Sequence, residues 1–133
     1  MLFRSGSELT NQVTMIESAM DRFVDFNKDF IGKPGTLKSQ QQGARIQLVY
    51  CEVDALDNDS YGNEPVYKDG ALVGITTGGA YGHAVNKSLA FAYVDPKFAA
   101  AGTEFDVLMM GNTRKMRILA DCAWDPKSER LRA

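Results

Sequence analysis

Apolar and polar positions change their spacing partway along the chain. In the first 43 residues, Ile16, Met20, Phe23 and Val24 recur at helical spacing, which marks a narrow buried face. Thr14 and Glu17 stand in the S/T-x-x-E relation, in which each side chain satisfies an amide of the other's turn, so a short helix is expected from Thr14 to Met20. The stretch Phe23 to Phe26 fits an extended segment equally well. The run FIGKPG from Phe30 breaks any helix, and a second short helix is expected from Gly35 through Gln42, stopping at Gly43 with Gln40, Gln41 and Gln42 facing water.

Beyond Gly43 the period becomes two. Ile46, Leu48, Tyr50 and Glu52 alternate with Gln47, Val49, Cys51 and Val53, as in a strand covered on both faces, and the strand is placed at 44–54. LDNDSYGNEP is a loop by composition. PVYKDGALVGITTGG then places two extended runs on either side of Asp69-Gly70, a dipeptide that tolerates the positive φ of a type I′ turn. Lys87 to Val94 is a further strand, DPKFAAAG one helical turn closed by Gly102, and EFDVLMM joins RKMRILA in a second hairpin through Gly111-Asn112. Short strands in tight succession would expose many edges unless they closed. The expected fold is therefore mainly β, a small antiparallel six-stranded β-barrel over 44–133 preceded by a short α-helical arm over 1–43. No repeat of fixed period and no heptad run interrupts it.

At 133 residues the chain fits one domain, and 44% hydrophobic residues is an ordinary globular supply. Fifteen Lys and Arg against seventeen Asp and Glu leave a net charge of −2, with a sequence pI near 5.3. That balance argues against binding nucleic acid or an anionic membrane surface. The apolar runs are short and the start MLFRSGSELT turns polar early, so the chain is read as soluble, unexported and cytoplasmic. Cys51 and Cys122, 71 positions apart, are expected to be two buried free thiols.

Chemistry is sparse. His83 is the only histidine, which leaves little for a metal site or a Ser-His-Asp triad, so no metal ligand and no catalytic residue is assigned. His83 and Tyr81 lie between two expected strands, where they could face a ligand or pack a barrel corner. Gly74, Gly78, Gly79 and Gly82 form no phosphate loop and are read as allowing sharp corners. Tyr50, Tyr61, Tyr67, Tyr81, Phe91 and Tyr93 fall on or beside strands; without a basic groove they read as packing rather than base stacking. The tail carries Trp124, Arg130 and Arg132, and two arginines near an end could clamp carboxylates or simply be solvated.

Several phrases, in order, resemble the C-terminal part of the folate-dependent aminomethyltransferase family, which comprises the glycine-cleavage T-protein and the C-terminal half of dimethylglycine and sarcosine dehydrogenases. They are RSGSELTNQVTMIESAM, DFIGK at 29–33, GNEPVY at 62–67, VGITTGGAYGHAVNKSLAFAYV at 73–94 and GTEFDV at 102–107. The block TTGGAYGH followed by KSLAFAYV looks closer to the dehydrogenases than to T-protein. The resemblance implies a fragment of a larger parent: 1–43 would end the preceding subdomain, and 44–133 would be the closing barrel of a cloverleaf that holds tetrahydrofolate in a central channel.

It also implies that the family's catalytic Asp lies upstream, so no Asp here inherits the role and the isolated chain is expected to be inactive. In the dehydrogenases, FAD in an N-terminal domain oxidises an N-methyl group and folate takes up the one-carbon unit. The implied partners are folate and the parent's N-terminal subdomains, and the bare fragment surface is expected to favour homo-oligomers. Family contacts near the chain end raise Arg130 and Arg132 as folate-binding candidates, with Tyr81 and His83 as possible channel residues. Arg45 stands where the family carries basic residues pairing across the subdomain boundary, and is read as structural. Ser5 replaces the aromatic of the family phrase LYGxEL. The competing reading is a non-catalytic docking barrel that keeps the fold.

Overall fold

The computed structural model describes residues 5–130 and residue 132. Six antiparallel strands close into a barrel in the order β1-β4-β3-β2-β5-β6. They are β1 (Gln47–Val53), β2 (Pro65–Lys68), β3 (Ala71–Gly82), β4 (Lys87–Val94), β5 (Glu104–Met109) and β6 (Asn112–Ile118). An arm precedes them, with helices α1 (Ser5–Glu8) and α2 (Lys33–Gln42) and a 3-10 turn at Asp21–Phe23 between them.

Alternation along each strand fills the barrel. Val49, Cys51 and Val53 of β1 point inward with Val66, Ala90, Ala92, Val94, Phe105, Val107, Met109, Met116 and Ile118, and this set forms one buried core. Asp69 and Gly70 both take positive φ, 52° and 80°, as the I′ turn between β2 and β3 requires. The β2–β5 seam is the shortest in the ring, with register pairs Val66↔Val107 and Tyr67↔Asp106. Strands β3 and β4, by contrast, pair over nearly their whole length.

Three local expectations require correction. Thr14 to Met20 is not a helix. The reciprocal cap does form, with Glu17 N–H donating to Thr14 Oγ1 at 3.2 Å and Thr14 N–H to Glu17 Oε2 at 2.9 Å. However, the Glu17 carbonyl that would continue a helix accepts from Leu48 N–H at 2.7 Å and Gln47 Nε2 at 3.3 Å, and Ala19 turns to φ 56°. Barrel contacts outbid local propensity. The second hairpin turns on Met110-Gly111, at φ 49° and 81°, one residue earlier than expected, and Asn112 is the first residue of β6, paired with Met109. Both cysteines are free, but Cys122 is exposed while Cys51 is buried. Burial pushes the Cys51 thiol up to about 12.

The glycines of β3 serve close approach more than corners. A Cβ on Gly79 would stand 2.5 Å from the Leu89 carbonyl oxygen and 2.9 Å from Ser60 Cβ, so its absence lets loop 54–64 lie against the sheet. Glu64 ties that loop down by accepting from Ser60 Oγ and Tyr61 N–H, both at 2.8 Å, from Gly62 N–H at 3.0 Å, and from the Thr76 hydroxyl. Burial works against ionisation of Glu64, but the bonds from Thr76, Ser60 and the Tyr61 N–H together hold it below the usual carboxylate range.

Candidate functional site

The arm is fastened to the barrel at two carboxylates. Between Thr76 and Gly78 the β3–β4 register slips, so Thr77 is an extra residue and the bulge re-aims its side chain. Its hydroxyl donates to Glu8 Oε1 at 2.6 Å, and Tyr93 Oη donates to the Glu8 carbonyl at 2.5 Å. Burial, with the nearby Glu8 charge, pushes the Tyr93 phenol up to about 12. At the second point Glu17, almost wholly buried, receives Arg45 Nε on Oε1 at 2.7 Å and Arg45 Nη2 on Oε2 at 3.1 Å, a bidentate pair. Arg45 Nη2 also donates to the Gln12 carbonyl at 2.9 Å. The Arg45 guanidinium draws the Glu17 carboxyl down to about 2, against the opposing effect of burial and with help from the Thr14 N–H. Arg45 therefore does the structural pairing expected of it, with the arm as its partner.

Held in this way, the arm leaves a recess of about 540 Å³ between itself and one end of the barrel. Arg22 and Phe23 come from the 3-10 turn, Leu48 and Tyr50 from β1, Phe91 from β4, and Asp121 and Cys122 from the segment after β6. Tyr50 and Phe91 are cross-strand partners whose ring centroids lie 5.1 Å apart at a 41° tilt. Burial raises the Tyr50 phenol, and the neighbouring Cys122 adds to the effect. The Arg22 guanidinium lies 4.7 Å from the Phe23 ring centroid, and Phe23 is 65% exposed. Such a surface offers planar rings for stacking and one charge of each sign for orientation.

The residues singled out from sequence lie elsewhere. Tyr81 is the last residue but one of β3 and His83 opens the turn to β4, their rings in edge contact at 5.0 Å. Tyr81 borders a smaller depression of about 160 Å³ beside loop residues 55–59. Arg130 lays its guanidinium 4.5 Å from the Trp124 ring centroid, and its N–H donates to Asp125 Oδ2 at 3.1 Å. Arg132 is exposed, its N–H donating to the Glu129 carbonyl at 3.2 Å. The structure thus brings Tyr81 to His83 and Arg130 to Trp124, and none of the four lines the recess. Phe23, Tyr50, Phe91, Arg22 and Asp121 drew no functional assignment from sequence. The cross-strand register of Tyr50 and Phe91 was the available signal, and it needs the fold to be read.

Among the described residues no group of His, Cys, Asp and Glu could hold a metal ion, and no helix is long and apolar enough to cross a membrane.

A family model, the glycine cleavage T-protein C-terminal barrel domain, matches residues 47–125. Mouse dimethylglycine dehydrogenase, mitochondrial, is 35% identical over 118 residues, covering 87% of this chain and 14% of its own length. A probable aminomethyltransferase from Thermococcus kodakarensis is 29% identical over 119 residues, covering 88% of this chain and 29% of its own. The glycine cleavage system aminomethyltransferase T from Bartonella henselae shares the fold, with a TM-score of 0.79 at 20% identity over 91% of this chain and 35% of that one. The chain spans well under half of each relative.

Proposed function

Because the chain belongs to the glycine cleavage T-protein C-terminal barrel domain family, we propose that it is the closing barrel of a folate-dependent aminomethyltransferase module. The parent would resemble a dimethylglycine or sarcosine dehydrogenase, which passes a one-carbon unit from an N-methyl glycine derivative to tetrahydrofolate, with FAD held in an N-terminal domain. The recess carries this reading. Its volume lies within the range of about 300–1,000 Å³ usual for small-molecule sites, and the tilted Tyr50–Phe91 pair with Phe23 beside it suits a planar pterin or aminobenzoyl group.

Tetrahydrofolate supplies the amine that accepts the one-carbon unit. The work of this chain is to bind and to shield: the aromatic residues orient the flat part of the ligand, and the arm and barrel together keep bulk water from one side of it. Arg130 and Arg132 are assigned to its glutamate carboxylates, which a guanidinium binds in bidentate fashion. Arg130 would leave the Trp124 ring to do so. Tyr81 and His83 form a separate aromatic contact at the channel edge, and the cytoplasmic placement belongs to the same reading. No residue here is given the chemical step, so the chain alone is inactive.

The engagement of Arg130 by Trp124 and Asp125 favours a second reading, a docking barrel without folate. Calorimetric titration of a tetrahydrofolate analogue into the chain and into the longer parent separates the two. Binding by the parent, weaker by about tenfold or more in the chain alone and in an Arg130→Ala/Arg132→Ala parent, supports the folate reading. Absence of binding by either protein gives the docking barrel.

A further inference from the structure

Antiparallel sheets that meet water on one face carry polar residues there, and much of the barrel's outside obeys. Thr113, Lys115 and Arg117 face outward from β6, and Glu104 and Asp106 from β5. One outward row breaks the rule. Leu48 of β1 pairs with Tyr93 of β4, Tyr93 with Ile75 of β3, and Ile75 with Pro65 of β2. Side chains paired on one face stand about 5 Å apart, so the row is continuous. The arm covers its first half: Leu48 and Tyr93 are each 7% exposed, with Leu48 N–H donating to the Glu17 carbonyl and Tyr93 Oη to the Glu8 carbonyl. Past Tyr93 the cover ends, and Ile75 is 43% exposed. The bare half widens on both sides of β2, where exposed Leu72 pairs with Tyr67 and exposed Leu108 follows Val107, the partner of Val66.

We propose that this bare half docks the polypeptide preceding residue 1 in the longer parent, through an uncharged apolar surface on that polypeptide. The covered and bare halves are one row, so a partner here extends the interface that the arm already makes. The arm reaches the row at Glu8, in α1, its N-terminal element, which sets the preceding polypeptide at the border of the bare part. The relatives that the chain matches hold far more polypeptide than the part they share with it. Contiguous apolar surface of this kind marks an interaction site, and a charged partner would lose its water there without gaining a counter-charge. The Asp106–Lys115 ion pair, at 2.6 Å, borders the patch beside Tyr67 as a polar rim. None of the bare residues lines the recess, so a ligand there and polypeptide here do not compete. The inference rests on reading the chain as the barrel of a longer module, and not on folate.

The test is hydroxyl-radical labelling, read by mass spectrometry, of the 133-residue chain and of the longer parent, both without folate. Leu72, Ile75 and Leu108 are expected to label readily in the chain and about fivefold or more slowly in the parent, as side chains at the dry centre of an interface do. Photoreactive p-benzoylphenylalanine in place of Leu72 and, separately, of Leu108, both exposed positions, is expected to cross-link within one parent molecule to residues that precede this chain. Equal labelling of chain and parent overturns the proposal. So does a cross-link between two molecules, which gives the patch to a second copy, or no cross-link from either position. Folate titration fails or succeeds independently of these readouts: slowed labelling with no folate binding keeps the docking and removes the folate reading, and equal labelling with folate binding does the reverse.

Discussion

Thr77 reaches Glu8 across 69 positions of sequence, its hydroxyl 2.6 Å from Oε1, and it does so only because the bulge in β3 sets it outside the register of the ladder. Glu8 is 1% exposed, and its Oε2 has no hydrogen-bond partner among the described residues. One hydroxyl therefore supplies the side chain's only hydrogen bond there. Thr77→Val keeps the shape and removes the donor, and is expected to cost about 1–3 kcal/mol, the usual cost of leaving a buried polar group unpaired. Urea unfolding followed by tryptophan fluorescence measures it; a midpoint equal to the native one would show that the arm is not held at Glu8.

The Glu17–Arg45 pair makes stability depend on pH with a definite sign. The folded carboxyl lies near 2 against 4.5 for the ordinary group, because Arg45 favours the ionised form. The contribution is present in full above about pH 4.5 and is lost as pH falls through 2. Arg45 is largely exposed and solvent screens the pair, so the loss is expected to be about 2 kcal/mol. Glu17→Gln should flatten this part of the stability curve between pH 4.5 and 2, measured as thermal midpoints in a buffer series.

Gly62 takes φ +100°, and a Cβ there would lie 2.5 Å from the Thr77 carbonyl oxygen. Gly62→Ala meets both a disfavoured backbone region and a collision with main chain that has little room to yield. It is expected to lose about 2 kcal/mol or more, and to raise amide exchange in loop 54–64, where Glu64 collects its bonds.

The two thiols should separate cleanly. Cys122 is exposed, while Cys51 is buried with its thiol held neutral. A disulfide reagent at pH 8 is expected to titrate one thiol per folded chain promptly and the second only after denaturant is added. Prompt reaction of both would mean that the barrel opens readily.

Much of the barrel was legible because its signals are local. The strand from Lys87 to Val94 and the Asp69-Gly70 turn follow from alternation and turn chemistry alone, and both stand as expected. The failed helix at Thr14 is instructive because its local signal was genuine. The cap formed, but a barrel strand took the carbonyl needed for the next turn, and nothing in residues 14–20 could announce that. The recess was hidden for a related reason. Its lining comes from five separated stretches, and each contributing residue alone looks like ordinary packing or solvated surface. Only the register of β1 against β4 and the fastening of the arm bring Tyr50, Phe91, Phe23 and Asp121 around one space.

A ring is only as continuous as its briefest link, and here that link is the pairing of β2 with β5 at Val66 and Tyr67. Loosened at that clasp, the barrel would become a curved sheet still joined through β1, with β2 and β5 as its two free borders. Each border would offer unpaired main-chain groups to any extended segment that came alongside. Closure at this seam is thus also the protein's defence against aggregation, and Val66 and Val107, both fully buried, are the pair of side chains that hold it shut.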